Sequence, residues 1–244
     1  TGVVLIFLTI LFTFTKIVEA VFSPPKGTGI TGAVEKESEI NDTIFVKVIN
    51  IKSIALTFDD GPHPGYAYKL LDILEKNSIK ATFFVVGKMV KKYPNLLEDI
   101  VKKGHEIGNH TYNHPILSDL TSEKVIRELE LCRMEIKKTC NINVNLFRPP
   151  SGRYNKDTVN IAKKRGFKTI LWSISSGDYG CHDRNSILKK VLENPADGDI
   201  VLMHSGVDAT LEALPEMIRK LKEKDFVFKT VSEIIKEYNE VATM

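Results

Sequence analysis

The sequence predicts an α/β fold, a distorted (β/α) barrel of parallel strands. Three observations carry this expectation. The chain has 244 residues, 43% hydrophobic and 27% charged, the profile of an ordinary globular protein with room for one barrel-sized domain. From Ile44 onward, short apolar runs alternate with amphipathic stretches, the rhythm of a parallel sheet covered by helices. The alternation repeats about seven or eight times, which favours a barrel over an open sheet.

In chain order the candidate strands are Ile54–Phe58, Ala81–Val86, His105–Gly108, Asn145–Phe147, Thr169–Ser173, Ile200–His204 and Phe226–Phe228. The helix expected over Gly65–Lys76 carries Leu70, Leu71, Ile73 and Leu74. Pro94–Lys103 has proline at its start and Gly104 just past its end, the usual punctuation of a helix. Thr121–Lys138 has Thr121 as N-cap and Glu123 in its first turn. Its apolar stripe is Val125, Leu129, Cys132 and Ile136, so Cys132 belongs to the core. Asp157–Arg165 stops at Gly166, and Leu211–Lys224 and Val231–Asn239 close the chain.

The N-terminal part reads differently. Gly2–Thr15 is apolar or small and uncharged, shorter than the roughly 20 residues that span a bilayer and suited to the apolar region of a signal peptide. Val18-Glu19-Ala20 offers a cleavage site. Residues 1–20 are therefore expected to be a signal peptide or an N-terminal membrane anchor, 21–43 a linker broken by Ser23-Pro24-Pro25, and 44–244 the main folded domain. That organisation implies export, with the domain secreted or anchored to the cell membrane. The net charge of +3 is mild and the lysines are scattered among glutamates, so no nucleic-acid partner is expected. The three cysteines form neither a zinc spacing nor a disulfide framework, and a Cys140–Cys181 bridge stays open.

The polar residues that carry chemistry gather at strand ends. Asp59-Asp60 follow Ile54–Phe58, His110 and His114 follow His105–Gly108, and Arg148 follows Phe147. Asp178 lies just beyond Thr169–Ser173, and His204 ends Ile200–Met203. In a β/α barrel these C-terminal ends share one rim, where active sites assemble. Each piece alone has a plainer reading: a solvated Asp-Asp-Gly-Pro turn, surface histidines, an ion-paired arginine, a core histidine. Together, in this order, they point to a site. The i, i+4 spacing of His110 and His114 would put both rings on one face of a helical turn, a good spacing for zinc. Two histidines and one carboxylate leave coordination positions open, as catalysis requires. A water on such a metal, deprotonated by the second carboxylate, can attack an acyl carbon, and a further histidine can protonate the leaving group.

The run of Thr57-Phe58-Asp59-Asp60-Gly61, His110-Thr111-Tyr112-Asn113-His114, Arg148-Pro149-Pro150-Ser151-Gly152, Ser175-Ser176-Gly177-Asp178-Tyr179 and Leu202-Met203-His204 resembles the five motifs of the NodB-homology polysaccharide deacetylases, carbohydrate esterase family 4. The match spans about residues 50 to 235. The resemblance implies Asp59 as general base, Asp60, His110 and His114 as metal ligands, and Arg148 as the group that holds Asp59. It implies His204 as general acid, with Asp178 as its charged partner. Ser151 would offer a backbone N–H to the oxyanion, and Tyr179 and Leu202 would line the acetyl pocket. Three positions depart from the family pattern: Ser175 stands for a usual Asp, Tyr179 for Trp and Ser151 for a frequent Tyr. These departures bear on substrate preference more than on catalysis.

The resemblance implies a metal-dependent hydrolase that removes N-acetyl groups from a cell-surface polysaccharide, peptidoglycan first and chitin-like oligomers second. Zinc is the expected ion, with cobalt or another divalent ion as alternatives, and an acetylated glycan is the expected partner of a monomeric enzyme. The alternatives are an O-acetyl xylan esterase and a catalytically retired glycan-binding protein. A magnesium phosphatase built on Asp59-Asp60 fits less well, because no phosphate-cradling glycine loop accompanies it and a histidine pair suits zinc better.

Overall fold

The computed structural model describes residues 44–45, 52–180 and 183–242. Gly2–Thr15, the cleavage site, the linker and Cys181 lie outside them, and with them the expectations of a leader, an anchor and a Cys140–Cys181 bridge.

The strands are β1 (Ile44–Phe45), β2 (Ser53–Gly61), β3 (Thr82–Val85), β4 (Glu106–Asn109), β5 (Leu146–Phe147), β6 (Lys168–Ile170), β7 (Ile174–Ser175), β8 (Asp199–His204) and β9 (Val227–Phe228). They form one parallel sheet in the order β1-β6-β5-β4-β3-β2-β8-β7, with β9 paired to the start of β2. The helices are α1 (Ala67–Lys76), α2 (Gly87–Lys92), α3 (Pro94–Lys102), α4 (Ser122–Cys140), α5 (Lys156–Lys164), α6 (Arg184–Leu192), α7 (Asp208–Glu223) and α8 (Val231–Ala242).

Side chains alternate between the two faces of a strand, and here the alternation sorts the core into two layers. Ala55, Phe84, Leu146, Ile170 and Ile200 meet Val231, Ile234 and Ile235 of α8 on one face. Ile54, Leu56, Phe58, Phe83, Val85, Val201 and Met203 meet the helices on the other, among them Leu70, Leu97, Leu129 and Met217. The sheet thus curls around an interior, and the barrel expectation holds. The start of α8 is tied to the N-terminal ends of β3 and β4. Val231 N–H donates to Thr82 Oγ1 (3.0 Å) and Ser232 N–H to Glu106 Oε2 (3.2 Å). The C-terminal ends are left to the loops.

Of the single strand expected over Thr169–Ser173 only the end of β6 is strand; β7 follows at Ile174–Ser175, and it lies at one edge of the strand order while β6 lies next to β1 at the other. The reason is a contact with a residue distant in sequence. The carbonyls of Ile170 and Leu171 accept from the Arg148 guanidinium, at 3.3 and 2.9 Å. The chain between β6 and β7 therefore crosses the gap in the barrel.

Candidate active site

Interior parity places Thr57 and Asp59 of β2 beside Leu202 and His204 of β8, and the two strands pair Asp59 with His204. Asp60, one residue on, should face the helices. It does not, because the register against β3 shifts between Asp59 and Gly61 and Asp60 takes a left-handed backbone, φ 70°. This bulge re-aims the second carboxylate, and aspartate is among the non-glycine residues that tolerate the conformation. Asp60 Oδ1 lies 3.5 Å from His110 Nε2 and 3.2 Å from His114 Nε2. Asp59 Oδ2 lies 3.7 Å from the same His110 nitrogen.

Arg148 is wholly buried at the end of β5. Its Nη1 donates to Asp59 Oδ1 (2.8 Å) and Thr57 Oγ1 (2.7 Å). Its guanidinium carbon lies 4.1 Å from the centre of the Phe84 ring. The arginine's own carbonyl meets His110 Nδ1 at 2.8 Å. A backbone carbonyl can only accept, so Nδ1 carries the proton and Nε2 turns its lone pair toward the carboxylates. Burial, the largest influence, pushes the His110 pKa down and keeps the ring neutral, as a ligand must be.

Asp60 Oδ1 is buried without a hydrogen-bond partner. His114 Nε2 is close enough at 3.2 Å but is not aligned as a donor. Burial, the largest influence, would raise the Asp60 pKa; the neighbouring side chains of His114, His110 and His204 outweigh it and lower it. An orphaned carboxylate oxygen facing two imidazole nitrogens is a donor set that fits a cation. Ligand atoms of Asp60, His110 and His114 lie within 4.8 Å of one another. Two nitrogens and one oxygen suit zinc or a similar divalent ion.

The histidine pair does not sit on a helical turn. His110 to His114 form a loop in which Thr111 and His114 are left-handed, φ 66° and 63°. Asn109 Oδ1 accepts the Thr111 N–H (2.8 Å) and starts the turn that defeats the helix.

Across the mouth of the barrel, His204 Nδ1 and Asp178 Oδ1 are 2.8 Å apart. Asp178 Oδ2 also accepts the His204 N–H and the Thr210 hydroxyl, both at 2.7 Å. The Tyr179 ring is largely exposed, with its centre 5.2 Å from that of His204. Leu202 is buried on the interior face. Ser151 is exposed in the 3-10 turn Pro150–Gly152, with φ 57°. Among the described residues no hydrogen bond ties Ser151 to the carboxylate and histidine group. Cys132 is buried with its thiol pushed up to about 12 by burial, an inert core residue. Cys140 is a half-buried free thiol.

A parallel barrel gathers carboxylates and histidines at its C-terminal mouth, where enzymes of this architecture build their active sites. The family model for polysaccharide deacetylase matches residues 47–170, and the chain belongs to that family of hydrolases, polysaccharide de-N-acetylases by class. It is 38% identical over 192 residues to a peptidoglycan-N-acetylglucosamine deacetylase of Bacillus cereus, covering 77% of this chain and 90% of the relative. A solved peptidoglycan N-acetylglucosamine deacetylase is similar with a TM-score of 0.78 at 28% identity, over 82% of this chain and 97% of that one. A carbohydrate esterase family 4 pseudoenzyme from Bacillus anthracis is similar with a TM-score of 0.75 at 33% identity, over 78% and 68%.

Proposed function

We propose that this protein removes N-acetyl groups from the amino sugars of peptidoglycan, using a divalent cation, zinc first, held by Asp60, His110 and His114. The observation that carries the reading is the cation site itself, with the Arg148-held Asp59 on one side and the Asp178-held His204 on the other. When bound, the cation supplies Lewis acidity to the acetamide carbonyl and the attacking water. Asp59 accepts the proton of that water: Arg148 occupies its Oδ1, and Oδ2 remains for the transfer. His204 gives a proton to the departing nitrogen from Nε2, because Nδ1 is engaged by Asp178. The Ser151 N–H faces the oxyanion, and Tyr179 and Leu202 bound the acetyl methyl. The domain works outside the cytoplasmic membrane as a monomer, released or tethered through its N-terminal segment.

The likeness to a pseudoenzyme favours one second reading, a glycan-binding protein without turnover. Against it stands the full set of base, acid and ligand side chains in one constellation. Acetate release from peptidoglycan, chitin oligomers and acetylated xylan separates the readings. Release from peptidoglycan is expected. Release from xylan alone would overturn the amide reading, and retained glycan binding with no release from any would favour the second.

A further inference from the structure

The turn that presents His114 contains two left-handed, non-glycine residues, a conformation that persists only when its surroundings enforce it. Each N–H of the turn is taken. Asn109 Oδ1 accepts from Thr111, and Thr111 Oγ1 accepts from His114 (3.1 Å). The two between them go to a single carboxylate on α4: Glu128 Oε2 accepts the Tyr112 N–H (3.0 Å) and the Asn113 N–H (2.7 Å). Glu128 Oε1 accepts the Asn113 side-chain amide at 2.7 Å. On the other side, the first N–H groups of α2, from Gly87 and Lys88, donate to the carbonyls of Thr111 and Tyr112, both at 2.9 Å.

Glu128 is 9% exposed, and the other acids of its helix, Glu123, Glu130 and Glu135, are all less buried. A carboxylate is seldom buried unless something needs it. This one is offset by three hydrogen bonds, all to the loop between the two histidines. We propose that Glu128 is a positioning residue of the metal site. It holds His114 against Asp60 without touching the metal, its ligands or the substrate. The inference rests on the metal reading above.

Reach and charge separate this role from a general electrostatic one. Glu128→Gln keeps the reach: its Oε1 can accept both backbone N–H groups, and the Asn113 amide can turn to accept from the new amide. Glu128→Asp keeps the charge but is one methylene short. The full chain, stripped of metal, is titrated with Co²⁺ by visible absorption and with Zn²⁺ by competition. Exchange of the Tyr112 and Asn113 amides is followed in parallel. Glu128→Gln should bind close to wild type. Glu128→Asp should bind about 10–100-fold more weakly, the usual cost of losing an outer partner of a metal site, with an altered cobalt spectrum and faster exchange of both amides. Wild-type affinity in Glu128→Asp would overturn the proposal alone. So would a Glu128→Gln as weak as Glu128→Asp. A wild-type chain that takes up no metal would overturn both this proposal and the metal reading.

Discussion

Asp59 and His204 are partners in register on the adjacent parallel strands β2 and β8. Both lie on the interior parity of their strands, so a carboxylate and an imidazole flank one point at the barrel's mouth. Each is held by a different buried group, Asp59 by Arg148 and His204 by Asp178. The bulge at Asp60 then adds a third polar group to the same point. The mechanism follows from this division of tasks, and it can be taken apart residue by residue.

The two adjacent aspartates should fail in different ways. Asp60→Ala removes a proposed ligand and should lose metal and activity together. Asp59→Asn keeps the shape and the metal and should lose turnover by about 10²–10⁴-fold, the usual contribution of a general base. Metal content and acetate release on both variants check this. Loss of metal from Asp59→Asn would make Asp59 a ligand.

The Arg148–Asp59 pair should be costly to break singly and cheaper to remove together. Arg148→Met leaves the buried Asp59 carboxylate without its partner, a loss of about 3–5 kcal/mol. Urea unfolding of Arg148→Met, Asp59→Asn and the double variant measures the coupling. A double variant whose loss equals the sum of the singles would show that the two do not interact.

The pH dependence should follow the Asp178–His204 pair. Burial pulls His204 toward its neutral form, but the hydrogen bond and charge of Asp178, with Asp59 and Asp60, outweigh it and raise its pKa above the ordinary 6.5. Burial likewise works to raise Asp178, but His204 and Thr210 hold it below its ordinary 3.8. The stability from the raised histidine is complete below 6.5 and is lost as pH rises through the folded value. That from the lowered aspartate is present above 3.8 and is lost as pH falls through its folded value. If His204 is the acid proposed above, turnover needs it protonated and the alkaline limb should lie above 6.5. Asp178→Asn should move that limb to lower pH in kcat/KM profiles. His204→Ala should retain metal and fold yet lose far more activity on an N-acetyl substrate than on an activated O-acetyl ester. An unchanged amide-to-ester ratio would remove His204 from the role of acid.

Much of this site was legible in the sequence, because strand ends can be read from apolar runs and parallel strands bring their ends to one rim. Asp59, His110, Arg148 and His204 were placed by that argument alone. What could not be read was set by partners far along the chain. The His110–His114 turn looked helical from its spacing, but Asn109, Glu128 and α2 hold it in another shape. Thr169–Ser173 looked like one strand, but Arg148 takes two of its carbonyls. Glu128 itself, within Arg-Glu-Leu-Glu-Leu, carried nothing in the sequence to distinguish it from Glu130 two residues on. The helices α2 and α6 were not anticipated; α2 is only six residues long and carries little apolar period.

Gly87 gives a steric test of the same turn. A Cβ there would lie 2.5 Å from Tyr112 Cδ2 and 3.0 Å from the backbone Cα of Cys132. Gly87→Ala should cost about 1–3 kcal/mol of stability by overpacking and should weaken metal binding by displacing Tyr112. Thermal melting with and without zinc measures both. A variant as stable as wild type would show that α2 and the turn can separate freely.

The most direct test of the central claim is the stoichiometry of products on peptidoglycan. Zinc-loaded wild type should produce one new free amine on the glycan for every acetate released, and Asp60→Ala should produce neither. Acetate without new amine would make the protein an esterase, and no acetate from the metal-loaded chain would contradict the account.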